Sequence, residues 1–488
     1  MKLRRWISMG LVAVMLAGCG NGAGTVTPSP GAGSAGTTGT PTETPAAAGE
    51  TLELTYQYWD LIPDQETVFK NFTDSYKEET GNTVTIKGQF VSDAGWEDIL
   101  KTQIASGSGP EVFHMDLNNA SAWKDNVIQP LSPYFEDSFW EQFVPTAIDV
   151  WKLDGAYYAV PNSFSVCGIL YNKEMFAEAG IQVDSTTRWT LDDFDRALEK
   201  LYSTFGNKTI THTDGKQYPY YYLGTTATMY WWWLLWGQGG VSPVETNNIA
   251  QTAYVDGIMK IAEYANKGYL TTNGDVLPAK TSNSFSTAGN VAMLLTGDWT
   301  PTAFYRTENG IGEEAVPMAS TYGSLPYPVG KDGKVHTEIY NQGVVLNKNL
   351  TGTRAQIGAD FIEYMTTGDA WLAARGPEVG GLGIPARQEW ATAYAKDWFP
   401  QADQRDAFVW TAENGVITSP DYHLEGIDVT TPITEVINFA YGEALKPDYN
   451  AEATRQKVVE KLEAAQKSLN TQYKESGITP DNPDAKVK

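Results

Sequence analysis

The feature that most constrains this chain is the alternation of elements between residues 51 and 116. Leu52, Leu54, Tyr56 and Tyr58 alternate with mostly polar residues and predict a strand ending at Trp59-Asp60. Val68, Phe69, Phe72 and Tyr76 recur at three- and four-residue spacing, which predicts a helix capped by Asp64 and stopped by Gly81. Thr83 to Phe90 reads as a second strand. Trp96, Ile99, Leu100 and Ile104 mark a second helix, closed by Gly107 and Gly109-Pro110. Glu111 to Met115 reads as a short third strand, with Asp116 after it. Strand–helix–strand–helix–strand implies an open, largely parallel α/β sheet covered by helices. Ligands bind beyond the carboxyl ends of strands in such sheets. Trp59, Asp60, Asp116 and Asn118 are expected at those ends.

The rest of the chain adds helices. Leu191 to Phe205 predicts one, with Thr190 as N-cap and Asp193 in place for a capping box. Others are expected over Tyr254 to Gly268, Ala355 to Thr366 and Thr454 to Tyr473, and a strand over Asn341 to Asn347. A globular part of about 440 residues can bury a core without staples and should split into two or more lobes.

The N-terminus has a different character. Lys2, Arg4 and Arg5 precede an apolar stretch, Trp6 to Ala17, shorter than the roughly 20 residues a spanning helix needs. Leu16-Ala17-Gly18-Cys19 then resembles the bacterial lipobox. The resemblance implies a lipoprotein signal peptide over 1–18, acylation of the Cys19 sulfur, and cleavage just before it. Residues 20–50 are almost all Gly, Ala, Thr, Ser and Pro. Such a segment lacks apolar surface to offset ordering entropy, so 19–50 is expected to be a lipid anchor and disordered linker reaching roughly 30 Å. Of the two cysteines, only Cys167 would remain in the globular part, so no internal disulfide can form there. A net charge of −24 argues against nucleic-acid binding and against electrostatic adhesion to anionic lipid.

From Trp151 the sequence becomes specific. Trp151-Lys-Leu-Asp154-Gly155-Ala-Tyr157-Tyr158-Ala-Val160-Pro161 is followed by Gly168-Ile-Leu-Tyr171-Asn172-Lys173-Glu174-Met-Phe176, Ala179-Gly180-Ile181 and Arg188-Trp189-Thr190-Leu191-Asp192-Asp193-Phe194. Ala105-Ser-Gly-Ser-Gly109-Pro110-Glu111-Val112, Ala288-Gly289-Asn-Val291-Ala292-Met293 to Gly297-Asp298-Trp299, Pro326-Tyr327-Pro328 and Gly383-Ile384-Pro385 complete the series. In order and number these resemble the extracellular solute-binding proteins of sugar-importing ABC transporters, the family that includes maltose-binding proteins. The resemblance covers most of residues 51–470. It departs at Asn341-Gln342-Gly343, where the family often has a glycine pair, and in the density of tryptophans in the Tyr230 segment.

The resemblance implies two α/β lobes joined by crossing segments, with ligand held in the cleft between them. Matching the motifs puts 51–162 plus 341–383 in lobe one and 163–340 plus 384–488 in lobe two, with a first crossing near Pro161 to Phe164. The implied protein is a non-catalytic monomer without cofactor. It captures a mono- or oligosaccharide by hinge closure and delivers it to the permease subunits of an importer, at the outer face of the membrane of a Gram-positive-type bacterium. Two other readings stay open: a secreted glycoside hydrolase, since paired carboxylates are plentiful, and the same fold binding a polyamine or other cation, which the acidic charge would favour.

A sugar site needs rings for stacking and carboxylates or amides for hydroxyls. The family segment points to Asp298 and Trp299. Trp59, Asp60, Asp116 and Asn118 come from the strand ends. Ser163 borders the first crossing, and Tyr340, Asn341 and Gln342 lie at a second. Tyr230-Trp231-Trp232-Trp233-Leu-Leu-Trp236 cannot turn every ring to one cleft; helical spacing groups Trp232, Trp233 and Trp236, of which Trp232 and Trp233 are the candidates. Trp410 is a further one. Four histidines without metal-binding spacing, and Asp116-x-Asn118 without the glycine and distal glutamate of a calcium loop, imply no metal. Cys167 reads as a buried small hydrophobe.

Overall fold

The computed structural model describes residues 51–475 apart from 60–61, 63, 92–94, 118–122, 125, 212–214, 226–230, 241–248, 273–289, 302–305, 308–309, 312–320, 377–382, 398–401, 418–426 and 428. Cys19 and the tether expected to follow it, together with Asp60, Asn118 and Tyr230, therefore lie outside the described residues.

The first five elements follow the predicted order: β1 (Thr51–Tyr58), α1 (Gln65–Thr80), β2 (Thr83–Phe90), α2 (Trp96–Ala105) and β3 (Val112–Asp116). β1 is parallel to both β2 and β3. Val68, Phe69, Phe72 and Tyr76 of α1 are buried against this sheet. Gly81 ends α1 with a left-handed φ of 78°, which glycine adopts without a Cβ penalty. Asp64 differs from expectation. It stands at the N-cap position in a left-handed conformation, φ 51°, and its side chain makes no capping bond. On α2, Trp96 and Leu100 are buried, whereas Ile99 is exposed.

The chain then enters one long strand, β4 (Ala159–Asn172), buried at all its positions. The later elements that bear on the site are α3 (Leu191–Phe205), β5 (Tyr221–Thr225), α4 (Trp232–Trp236), α5 (Thr252–Asn266), β6 (Leu270–Thr272), β7 (Val291–Gly297), β8 (Tyr322–Leu325), β9 (Ile339–Asn347), α6 (Gly352–Thr366), α7 (Gly368–Arg375), β10 (Ile384–Pro385), α8 (Asp406–Asn414), α9 (Thr430–Ala444) and α10 (Ala451–Glu475). Thr190 caps α3 as expected: its hydroxyl accepts from the Asp193 amide, and the Asp193 carboxylate accepts from the Thr190 amide at 2.9 Å.

The strands share one sheet in the order β6-β5-β7-β4-β9-β3-β1-β2, with β8 and β10 also on β4. The sheet is mixed rather than largely parallel. β4 runs antiparallel to β7, β8, β9 and β10, and β9 is antiparallel to β3. The reason is the long strand. Its first half, Ala159 to Val166, pairs with β9, and its second half, Cys167 to Asn172, pairs with β7 and β8. The handover falls at Val166–Cys167, just beyond the Pro161 to Phe164 segment. A register shift opposite Gln342/Gly343 leaves Asn162 as the extra residue of β4, a bulge of the kind that re-aims side chains next to sites.

Two hydrophobic clusters flank this crossing. One gathers α1, α2, α6 and β1 to β3 with Trp151 and, from later in the chain, Ile384, Ala386 and Tyr394. The other gathers α3, α4, α5, α9 and α10 around Cys167 and Ile169 of β4. Among the described residues no helix is long and apolar enough to cross a membrane.

Candidate functional site

The carboxyl ends of β1 and β3, the middle of β4 and the start of β9 meet where one cluster gives way to the other. Register partners stand side by side across neighbouring strands. Asp116 of β3 opposes Gln342 of β9, Gln342 opposes Ser163 of β4, and Ser163 opposes Pro385 of β10. Three residues singled out from the sequence thus form one row across three strands. Gln342 and Asp116 are half-buried and Ser163 is 5 % exposed.

One end of this row is aromatic. Tyr340 lies two residues before Gln342, on the same face of β9. Its ring meets that of Trp299 edge-on, centroids 5.3 Å apart at 90°. Trp299 is placed by the end of β7: the Asp298 amide donates to the Val166 carbonyl at 3.2 Å. The Trp299 ring folds back over Gly297, where a Cβ would lie 2.0 Å from Cζ3. Only a glycine leaves that space. Asp298 is 2 % exposed, and burial pushes its carboxyl up to about 7, although the Ser165 hydroxyl and the amides of Val166 and Ile384 act to lower it. The Asp298 amide thus ties the end of β7, and with it Trp299, to β4.

At the other end, Trp59 lies half-buried after β1, 4.9 Å from Trp96 and 5.1 Å from the His114 ring. His114 Nε2 sits 2.6 Å from the Tyr56 hydroxyl and 3.2 Å from Asn162 Nδ2. Burial lowers its imidazole to about 3, so it is neutral at ordinary pH. The Asn162 carbonyl accepts from Trp371 Nε1 at 3.1 Å and from the Ala386 amide at 3.2 Å. The bulge therefore ties Trp59's support to the crossing strand.

The remaining candidates point elsewhere. Asn341 faces the opposite side of β9 from Tyr340 and Gln342; it accepts from Trp151 Nε1 at 2.8 Å and donates to the Ala147 carbonyl at 2.7 Å. Trp232 and Trp236 stack at 5.3 Å, as four-residue spacing on a helix allows. Trp233 does not join them: it stacks on Tyr327 at 5.3 Å and is fully buried. Trp232 is 3 % exposed, so both rings pack inside the second cluster. Trp410, on α8, carries the Arg188 guanidinium 3.5 Å above its ring. Cys167 is buried and in no disulfide. His114, Asn162, Ser165 and Glu338 belong to the surroundings of the row and were not singled out from the sequence. Only Glu338 carried a signal, a charge directly before an apolar strand.

Among the described residues no group of three or more His, Cys, Asp or Glu side chains could hold a metal ion. The row of a carboxylate, an amide and a hydroxyl between two aromatic groups can accept from and donate to a ligand's hydroxyls while rings cover its apolar faces.

A mixed sheet shared by two cores, with polar and aromatic groups gathered where its long strand crosses, defines a two-lobed α/β solute-binding protein. The chain belongs to the bacterial extracellular solute-binding protein family, whose profile matches residues 53–370. It is 23 % identical over 150 residues to a maltotriose-binding protein of Pyrococcus abyssi, covering 30 % of this chain and 31 % of that one. It is 23 % identical over 158 residues to an arabinooligosaccharide-binding protein of Halalkalibacterium halodurans, covering 32 % and 35 %. The chain thus spans about a third of the length of these curated relatives. An ABC substrate-binding protein of Listeria monocytogenes in complex with cycloalternan superposes with a TM-score of 0.62 at 17 % identity, over 88 % of this chain and 100 % of that one. A cyclic alpha-maltosyl-1,6-maltose binding protein from Arthrobacter globiformis gives 0.62 at 17 %, over 86 % and 100 %. At such identities the likeness is one of fold.

Proposed function

We propose that this protein is the sugar-capturing component of an ABC importer, without catalytic activity. The observation that carries the reading is the row Asp116–Gln342–Ser163, set between Trp299–Tyr340 and Trp59 at the strand crossing. Hydroxyl-binding groups flanked by rings suit a carbohydrate, and the relatives and structural neighbours named above bear oligosaccharide names. Lobe one is taken as 51–162 plus 341–383 and lobe two as 163–340 plus 384–488. Ligand touching both would stabilise a closed form that permease subunits read. A lipid on Cys19 and a floppy 20–50 segment would hold this monomer at the outer face of the membrane, at high local concentration beside its permease. Within the site we assign Trp299, Tyr340, Gln342, Asp116, Ser163 and Trp59 to ligand contact and Asp298 to support.

Calorimetric titration with maltotriose and a panel of other oligosaccharides tests this. The expected result is saturable one-to-one binding with a change in tryptophan emission. Release of reducing ends over time would establish a hydrolase instead. A response to spermidine with none to any sugar would move the assignment to a cationic ligand.

A further inference from the structure

Asn341 lies between two of the residues assigned to ligand contact, Tyr340 and Gln342, and points the other way. It is 2 % exposed, and its side chain reaches the two short helical turns that precede β4, Pro145–Ile148 and Asp149–Trp151. Its Oδ1 accepts from Trp151 Nε1 at 2.8 Å and its Nδ2 donates to the Ala147 carbonyl at 2.7 Å. Both partners are fully buried. The Trp151 indole continues along β9 to Gly343, where a Cβ would lie 2.9 Å from Cζ2. One face of β9 thus rests on a single indole from Asn341 to Gly343.

That stretch is where the pairing of β9 with β4 is irregular. The register shifts between Gln342 and Gly343, with Asn162 as the extra residue. Opposite Gly343 stands Pro161, which has no N–H to give the ladder. The Asn162 carbonyl is taken up by Trp371 Nε1 and the Ala386 amide, at 3.1 and 3.2 Å. Where backbone pairing is interrupted, side chains must specify the register, and a slip of one residue exchanges the two faces of a strand. Such a slip would bring Asn341 to the ligand side and turn Gln342 toward Trp151. It would also break both bonds of the Asn341 amide inside the core, where an unpaired donor or acceptor is costly.

We propose that Asn341 is a positioning residue: by pinning β9 to Trp151 and Ala147 it sets the register that turns Tyr340 and Gln342 to the ligand. The inference rests on the reading of those two residues as ligand contacts.

Amide hydrogen exchange on the full chain, without ligand, tests the pin itself. Asn341→Leu loses both bonds at similar volume. Trp151→Phe keeps a ring but has no N–H. Val68→Ala weakens the same hydrophobic cluster from α1 and serves as the control. In Asn341→Leu and in Trp151→Phe the peptides over Tyr340–Gly343 are expected to exchange about tenfold faster than in the wild type, while those of β1 and α1 stay within about twofold. The double variant should lose no more protection there than Asn341→Leu alone, since both changes break the same bond. Unchanged exchange at Tyr340–Gly343 in Asn341→Leu, or an equal rise in β1 and α1, overturns the proposal. Should Asn341→Leu not fold, Trp151→Phe decides by the same two outcomes.

Titration with maltotriose and the same panel of oligosaccharides adds a readout that lost stability alone does not move. Asn341→Leu is expected to bind about tenfold more weakly than the wild type, and Val68→Ala within about twofold of it. Wild-type affinity in Asn341→Leu overturns the positioning role. Faster local exchange in the variants, with no sugar bound by the wild type, removes only the ligand assignment and leaves the register pin in place.

Discussion

Trp299 shows how much a single residue can depend on its neighbour. Its indole occupies the space a side chain at 297 would need, since a Cβ there would lie 2.0 Å from the ring. Gly297→Ala should therefore swing the indole away from Tyr340 and weaken sugar binding about tenfold, as Trp299→Ala should, because a well-placed aromatic contact is worth about 1 to 1.5 kcal/mol. Titration of both variants checks this; unchanged affinity in both would remove Trp299 from the site. Gly343 is a second such position, with the Ala159 Cβ 2.7 Å and the Trp151 ring 2.9 Å from where a Cβ would stand. Asp298 and Trp299 could be picked from the sequence because they sit in a recognisable segment. Neither the role of Gly297 nor the bulge at Asn162 could, because both arise from groups that meet only after folding. Asn341 illustrates the converse: its type and position suit a ligand, but strand alternation turns it toward Trp151.

Helices and strands were largely legible, since hydrophobic periodicity is a local property. The helix over Leu191–Phe205 and its Thr190–Asp193 cap were readable to the residue. Thr190→Ala should lower stability by about 1 kcal/mol, seen as a lower urea midpoint with unchanged slope; an unchanged midpoint would mean that the cap adds nothing beyond the packing of Phe194, Leu198 and Leu201. Strand direction was not legible beyond β3. The antiparallel partners of β4 come from positions more than a hundred residues later in the chain, and no local pattern encodes such pairing. The tryptophans of α4 failed to reveal their roles for a related reason. Helical spacing groups Trp232, Trp233 and Trp236, but which ring meets Tyr327 depends on a segment nearly a hundred residues away.

At the scale of the molecule, three buried titratable groups set a pH profile. Asp298 and Glu338 are held up at about 7 and about 8, chiefly by burial. Above about pH 4 the unfolded chain releases these protons while the folded one keeps them. Their contribution is thus complete at low pH and is lost as pH rises to 7 and 8, by up to about 1.4 kcal/mol per group per pH unit. His114, lowered to about 3 by burial, works the other way. Its contribution is full above 6.5 and is lost as pH falls toward 3. The urea midpoint of the wild type should therefore drop more steeply from pH 5 to pH 8 than that of Asp298→Asn/Glu338→Gln. Parallel curves would show that these carboxyls are solvated. The two-lobed organisation was readable through family motifs, whereas this profile was not, because burial is a property of the finished fold.

The long β4 and its partner β9 also bear on how the protein is made. β3 gains its second neighbour only through Gln342 to Leu346, about 230 residues after Asp116. At ribosomal speeds of 5–20 residues per second that interval is roughly ten to fifty seconds. For that time the nascent chain carries a buried-type strand with an open edge, the kind of surface that pairs with other chains. Synthesis of this protein should thus depend on a holding chaperone more than its finished stability suggests.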